Sequence, residues 1–125
     1  FLAAGKICAL PFFYAATKSY SARRVQNLTA DISTGKFGIR EPVANCPEIP
    51  PEKFDLILVP GVAFDWNGNR LGRGQGFYDR LLNKIRGVKC GVGYDFQLIE
   101  KVPAEQHDAR VNFVVTPGRC LKAAG

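Results

Sequence analysis

One span of the sequence restricts the fold more than any other: an apolar run, a glycine run, an amphipathic segment and a second apolar run follow one another. The first run, FDLILVP at 54–60, is predicted to be a strand buried on both faces, as in a parallel sheet. Residues 77–85 carry apolar side chains at the spacing of one helix face, and residues 88–94 are predicted to form the next strand. This order is a βαβ unit, which predicts a parallel sheet with helices on its faces.

The other segments add strands and connections. Residues 6–14 and 111–116 are predicted to be strands, whereas residues 19–28 fit a strand or a helix equally well. Residues 40–54 hold four prolines and are predicted to be an extended connection, because proline has no N–H to donate within a helix. A chain of 125 residues is expected to be one α/β domain, 1–125, with three layers and a mostly parallel sheet flanked by helices.

Composition excludes several classes of protein. Hydrophobic residues make up 46% of the chain and charged residues 22%, which is typical of a globular domain and argues against disorder. The four cysteines lie far apart, which fits neither a CxxC metal site nor a disulfide framework, so we expect reduced thiols in a cytoplasmic protein. With His107 as the single histidine, a structural zinc site is not expected. No apolar run approaches the roughly 20 residues of a membrane helix.

Positive charge is concentrated beside the glycine run. The net charge is +6, and between Arg70 and Lys89 six basic residues stand against one acidic residue, Asp79. Such a field favours a polyanionic partner, whether a nucleotide, a polyglutamylated ligand or RNA. For Lys84, Arg86 and Lys89, a solvated helix face is an equally good interpretation.

The glycine run itself predicts an anion site. Gly72, Gly74 and Gly76 lie between the end of a strand and the start of a helix, where open α/β sheets bind ligands, and their backbone can approach a phosphate closely. The spacing is neither that of a Walker A loop nor that of the dinucleotide fingerprint, and a tight turn that packs a helix on a strand would also fit. Asp79, in the first turn of the helix, suits either a favourable interaction with the helix dipole or Mg²⁺ held beside phosphates.

The residues are more specific than their spacing. LILVPGVAFDWNGNRLGRGQGFYDRLL at 56–82 closely resembles the signature of the 5-formyltetrahydrofolate cyclo-ligase family, and GIREP at 38–42 and LIEKVPAEQHDARVNFVVTP at 98–117 resemble its flanking motifs. The resemblance implies a Rossmann-like fold of the sugar-phosphate isomerase and CoA-transferase kind. It also implies an enzyme that uses ATP and Mg²⁺ to convert 5-formyltetrahydrofolate, a small molecule that can be polyglutamylated, to 5,10-methenyltetrahydrofolate, with release of ADP and phosphate.

Site residues carry over from the resemblance by position. The catalytic residues would be Arg73 and Tyr78. The ATP phosphates would be bound by Arg70, Leu71, Gly72, Arg73, Gly74, Gln75, Gly76, Phe77 and Tyr78. The folate would be bound by Glu41, Pro42, Pro60, Gly61, Phe64 and Tyr78. Mg²⁺ would be held by Asp79 and Asn112.

Three departures from the family pattern leave alternatives open. Phe77 replaces the more usual tyrosine, and Asn112 stands where many members have an aspartate, which would weaken Mg²⁺ binding. The sequence starts at Phe1 and has no methionine, so we expect native residues to precede it and to complete the site. A non-catalytic relative that binds nucleotide or folate would explain Asn112. A nucleic-acid-binding module would explain the basic cluster, but an RNA-binding aromatic motif is missing. Neither a membrane partner nor a particular oligomeric state is indicated.

Overall fold

The computed structural model of the chain describes residues 2–35, 38–72, 76–103 and 109–123, and of Phe77 it describes the backbone alone. The chain divides into two compact units, Phe1–Pro51 and Glu52–Gly125. In the described ranges, no helix is both long and apolar enough to cross a membrane. One domain over the whole chain stays a prediction.

The first unit is built from antiparallel strands. A three-stranded sheet has the order β1-β2-β5, and β3 and β4 form a separate two-stranded ribbon. A short 3₁₀ turn covers Leu2–Ala4, and another, Pro51–Lys53, includes the last residue of this unit and the first two of the next. The strands of this unit are β1 (Cys8–Tyr14), β2 (Ser19–Val25), β3 (Ile32–Thr34), β4 (Arg40–Pro42) and β5 (Glu48–Ile49).

Of the segment 19–28, which the sequence left undecided, residues 19–25 form β2. Its pairing with β1 runs without interruption from Ser19 opposite Tyr14 to Val25 opposite Cys8. This long-range pairing, rather than the weak local periodicity, decides the secondary structure. Arg23 on β2 then ties the sheet to the following connection, because its guanidinium donates to the carbonyls of Ala44 and Cys46 at 2.6 and 2.8 Å.

The second unit contains the predicted strand–helix–strand order. A four-stranded sheet has the order β11-β10-β9-β6, in which β6, β9 and β10 are parallel and β11 is antiparallel to β10. The other strand pairs of the described residues are antiparallel, so the sheets are mixed. The elements are β6 (Leu56–Val59), β7 (Ala63–Phe64), β8 (Arg70–Leu71), α1 (Phe77–Lys84), β9 (Val88–Val92), a 3₁₀ turn (Asp95–Gln97), β10 (Phe113–Thr116) and β11 (Arg119–Lys122).

The core of this unit lies on one face of its sheet. It consists of Val59, Phe64, Leu82, Ala109, Val111 and Val114. The prediction that β6 is buried on both faces is wrong, since Leu56 and Leu58 are 44% and 51% exposed. Among the described residues of this unit α1 is the only α-helix, and it supplies Leu82 to the face that carries Val59. A continuous apolar run shows that a strand is present but not how many of its faces are covered.

Candidate functional site

The segment between β6 and α1 brings together most of the predicted site residues of the second unit. From the carboxyl end of β6 the chain passes through the β7–β8 ribbon and the glycine run before α1 begins. Ligands of open α/β sheets bind at this end of the strands. Arg73, Gly74 and Gln75 lie outside the described residues, as does the side chain of Phe77.

A buried carboxylate organises the turn of the β7–β8 ribbon. Asp65 is fully buried. Its Oδ1 accepts hydrogen bonds from the N–H groups of Asn67 and Asn69, and its Oδ2 accepts from Asn69 Nδ2 and from the N–H of Val102, all at 3.0 Å. Burial raises the pKa of Asp65, but the hydrogen bonds outweigh it and hold that pKa below its ordinary value. Asp65 is not among the site residues predicted from the sequence, although an aspartate just before Asn67-Gly68 is a signal for such a turn.

Arg70 is buried at the base of the glycine run. Its side chain is 7% exposed, and its Nε donates a hydrogen bond of 2.6 Å to the carbonyl oxygen of Pro60. Its Nη1 lies 3.3 Å from Oδ1 of Asp79, and its guanidinium stacks on the ring of Tyr78, 5.1 Å from the ring centre. A single side chain therefore contacts the end of β6 and the first turn of α1.

The start of α1 offers N–H groups and one carboxylate oxygen. The residue that precedes the helix, Gly76, has a φ of +74° and no side chain with which to cap it. Oδ1 of Asp79 accepts from Arg70 and, at 3.4 Å, from the N–H of Ala109. Within the described residues, no hydrogen bond reaches Oδ2 of Asp79. An uncapped helix start favours an anion, because its first N–H groups have no acceptor within the helix.

Gln97, which is not among the site residues predicted from the sequence, holds the chain that follows β6. Its Nε2 donates to the carbonyls of Gly61 and Val62 at 2.8 and 3.2 Å, and its Oε1 accepts from the N–H of Tyr94 at 2.8 Å. No local pattern signals this role, because the partners are more than 30 residues apart.

The predicted folate residues occupy different environments. Pro60 is exposed, Gly61 is half-buried, and Phe64 is 1% exposed within the core of the second unit. Glu41 and Pro42 belong to β4 in the first unit, where Pro42 is buried.

Asn112 lies at the opposite end of the parallel strands from the glycine run. It directly precedes β10, and its Oδ1 accepts a hydrogen bond of 2.9 Å from the N–H of Lys89. It lines an open hollow of about 420 Å³ together with Glu52, Phe54, Asp55, Arg86, Gly87 and Val88. Across the described residues, no group of three or more His, Cys, Asp or Glu side chains is placed to hold a metal ion.

Comparison with known proteins identifies the family of the chain. The family model of the 5-formyltetrahydrofolate cyclo-ligase family matches residues 1–117. The 5-formyltetrahydrofolate cyclo-ligase of Mycolicibacterium smegmatis is 43% identical over 93 residues, which cover 70% of this chain and 47% of that protein. The enzyme of the same name from Escherichia coli K12 is 37% identical over 94 residues, which cover 72% of this chain and 52% of that protein.

A solved structure shows the same fold. The NMR structure of Aquifex aeolicus 5,10-methenyltetrahydrofolate synthetase matches with a TM-score of 0.81 and 40% identity, over 96% of this chain and 60% of that one. The chain thus has an α/β fold with mixed sheets, and it spans about half the length of the curated relatives it matches. On the match over residues 1–117, the chain belongs to the 5-formyltetrahydrofolate cyclo-ligase family.

Proposed function

We propose that the complete protein uses ATP to convert 5-formyltetrahydrofolate to 5,10-methenyltetrahydrofolate, with release of ADP and phosphate. The observation that carries the proposal is the family match, which spans the glycine run and the buried residues around it. The proposed reaction is that of the relatives named 5-formyltetrahydrofolate cyclo-ligase. The polar residues at the carboxyl end of β6 in the second unit are where we propose that it takes place. We also propose that the complete protein has the three-layer arrangement implied by the resemblance.

The proposed chemistry needs an activated formyl oxygen. Transfer of the γ-phosphoryl group of ATP to that oxygen makes it a leaving group; N10 then bonds to the formyl carbon, loses its proton, and the C–O bond breaks to release phosphate. Catalysis of phosphoryl transfer depends mainly on positioning and on neutralising charge. The glycine run and the N-terminus of α1 would bind the phosphates, and Arg73 and Tyr78 would face the transferred group.

The carboxylate of Asp79 fits a Mg²⁺ ion that binds together with a nucleotide. Such an ion takes one or two carboxylates, with phosphate oxygens and waters completing its shell, and it would neutralise charge on the phosphates. Asp79 stands at the start of α1 with one carboxylate oxygen outside any described hydrogen bond. The side-chain oxygen of Asn112, by contrast, is bonded to the N–H of Lys89 at the other end of the strands. We therefore assign the metal contact to Asp79.

The basic cluster gives less support to nucleic-acid binding. Two of its members make contacts within the unit: Arg70 pairs with Asp79, and Lys89 donates from Nζ to the carbonyl of Ile85 at 2.7 Å. Burial also lowers the pKa of Lys89. Fewer charges therefore remain to contact a phosphate backbone than the sequence suggests.

The test is the rise in near-ultraviolet absorbance that accompanies formation of the methenyl product. The complete gene product is mixed with 5-formyltetrahydrofolate, ATP and Mg²⁺, and each component is omitted in turn. We expect a rise that requires all three. A folded protein that gives no rise, but whose thermal midpoint increases with ATP or folate, would show the non-catalytic relative instead.

A further inference from the structure

Three consecutive carbonyl groups directly after β6 are bonded by side-chain donors. The carbonyl of Pro60 accepts a hydrogen bond of 2.6 Å from Nε of Arg70. The carbonyls of Gly61 and Val62 both accept from Nε2 of Gln97, at 2.8 and 3.2 Å. The acceptors of this short segment are therefore all turned toward the protein.

The N–H of Gly61 has no such partner. Pro60 has no N–H, and the N–H of Val62 donates to the carbonyl of Leu71 at 2.7 Å, whereas no hydrogen bond within the described ranges reaches the N–H of Gly61. In a trans peptide the C=O and N–H point in opposite directions, so this N–H points away from Arg70, which binds the carbonyl of the same peptide. Because Gly61 is half-buried, its N–H needs an acceptor that a ligand can supply.

Gln97 reaches this segment from the neighbouring strand. It closes the 3₁₀ turn that follows β9, and β9 pairs with β6 in parallel. Its Oε1 accepts from the N–H of Tyr94 at 2.8 Å, which orients the amide with Nε2 toward the two carbonyls. Gly93 leaves room for this side chain, since a Cβ added there would lie 2.8 Å from Oε1 of Gln97. One amide thus joins the carboxyl ends of two adjacent strands.

We propose that Gln97 is a positioning residue for the folate, which holds residues 60–62 so that the N–H of Gly61 donates to a carbonyl oxygen of the bound substrate. The inference rests on the part of the proposed function that places the folate at the carboxyl end of β6. Gln97 makes its own bonds within the protein and acts through Gly61. A donor that is already fixed binds its acceptor without the cost of ordering a loop. Loss of Gln97 therefore weakens the binding of folate more than that of ATP.

Steady-state kinetics of the complete gene product test this selectivity. In Gln97→Glu the carboxylate still accepts from Tyr94 but has no proton to donate to the two carbonyls. We expect the KM for 5-formyltetrahydrofolate to rise about tenfold or more and the KM for ATP to change less than about threefold. Gln26→Glu, at an exposed glutamine of the first unit, makes the same change of charge and should keep both wild-type values. A variant that had only lost stability would instead show a lower kcat with both KM values unchanged.

Gly93→Ala displaces the amide of Gln97 without altering it. The added methyl would meet the far end of a flexible side chain, so Gln97 moves and the backbone does not. We expect the same selective rise in the KM for folate. Near-ultraviolet circular dichroism verifies that each variant is folded, and Gln97→Met replaces the glutamate variant if the latter does not fold.

The amide proton of Gly61 tests the inference without turnover. Labelling proline carbonyls with ¹³C and glycine nitrogens with ¹⁵N selects, within this chain, the Pro–Gly pairs 60–61 and 117–118 in an NMR spectrum. Addition of 5-formyltetrahydrofolate should move the Gly61 signal downfield in the wild type but not in Gln97→Glu. The N–H of Gly118 is already bonded to Asp95 and is the internal reference.

The outcomes separate this inference from the proposed function. An active wild type whose Gly61 signal ignores folate, or responds to ATP alone, would overturn the inference and leave the reaction standing. Equal changes in the two KM values of Gln97→Glu would do the same. An inactive wild type whose Gly61 signal responds to folate only when Gln97 is present would overturn the reaction and support the positioning role.

Discussion

The backbone N–H of Val102 donates a hydrogen bond of 3.0 Å to Oδ2 of Asp65, a residue 37 positions earlier in the chain. Through this bond the turn of the β7–β8 ribbon is joined to Val102. The N–H of Ala109 donates in the same way to Oδ1 of Asp79, at 3.4 Å. Each of these two carboxylates, one in the ribbon turn and the other in the first turn of α1, thus accepts a backbone N–H from a residue distant in sequence.

Asp65→Asn is expected to reduce the free energy of unfolding by about 2–3 kcal/mol. The amide removes the charge and turns an NH₂ group toward N–H donors, so at least one buried donor loses its acceptor. Urea unfolding followed by circular dichroism measures the change. Asp55→Asn, an exposed aspartate of the same unit, is expected to stay within about 0.5 kcal/mol of wild type. Equal effects of the two substitutions would contradict the structural role of Asp65.

Acid is expected to destabilise the wild type more than Asp65→Asn. The pKa of Asp65 is lowered in the folded protein, so its contribution to stability is present above the unfolded pKa of about 3.9 and is lost as the pH falls through the folded pKa. The difference in unfolding free energy between wild type and variant should therefore be constant near pH 6–7 and shrink below about pH 4. Asp31 and Asp95, whose pKa values are also lowered by hydrogen bonds, act equally in both proteins and cancel. A difference that does not change with pH would contradict the prediction.

Gly68→Ala is expected to destabilise the protein more than Gly38→Ala. Both glycines have a positive φ, +81° and +72°, so both substitutions carry the cost of about 1–2 kcal/mol of a left-handed conformation. A Cβ at Gly68 would also lie 2.3 Å from the carbonyl oxygen of Val111, whereas a Cβ at Gly38 would meet nothing within 4 Å. The clash should lower the free energy of unfolding, measured by chemical denaturation, by a further amount of about 1–3 kcal/mol. Indistinguishable losses would show that the segment at Val111 moves aside freely.

Asp79→Asn is expected to lower turnover by about 100-fold or more while the fold is retained, because the amide supplies no negative charge to a nucleotide-bound metal. The assay is the absorbance of the methenyl product, and near-ultraviolet circular dichroism verifies the fold. Asp55→Asn serves as the control and should keep wild-type turnover. Full activity of Asp79→Asn would reduce Asp79 to a helix-dipole interaction and a partner for Arg70.

The parts of the fold that depend on neighbours in sequence were predictable. The periodicity of residues 77–85 predicted a helix, and α1 covers Phe77–Lys84. Apolar runs likewise predicted β6 and β9, because the apolar residues that indicate a strand follow one another in the sequence. The state of residues 19–28 was not predictable, since pairing with β1 decides it.

The parts of the site that depend on distant partners were not predictable. Gln97 reaches Gly61 and Val62, and Asp65 reaches Val102, across more than 30 residues in each case. A motif gives the residue types but not their partners. From the sequence, Arg70 was therefore expected to be a cation available to a ligand, whereas in the structure it contacts Pro60 and Asp79.

The parallel pairing of β6 with β9 has a consequence for the order of folding. The hairpin of β10 and β11 closes over a short turn, whereas β6 meets β9 only after the whole intervening crossover has been brought into place. Contacts that close long loops form slowly, so the hairpin should form early and the β6–β9 pairing late. The glycine run, Arg70 and Asp79 all lie within that crossover. A chain halted before the final pairing would therefore contain folded structure but would lack the proposed nucleotide site.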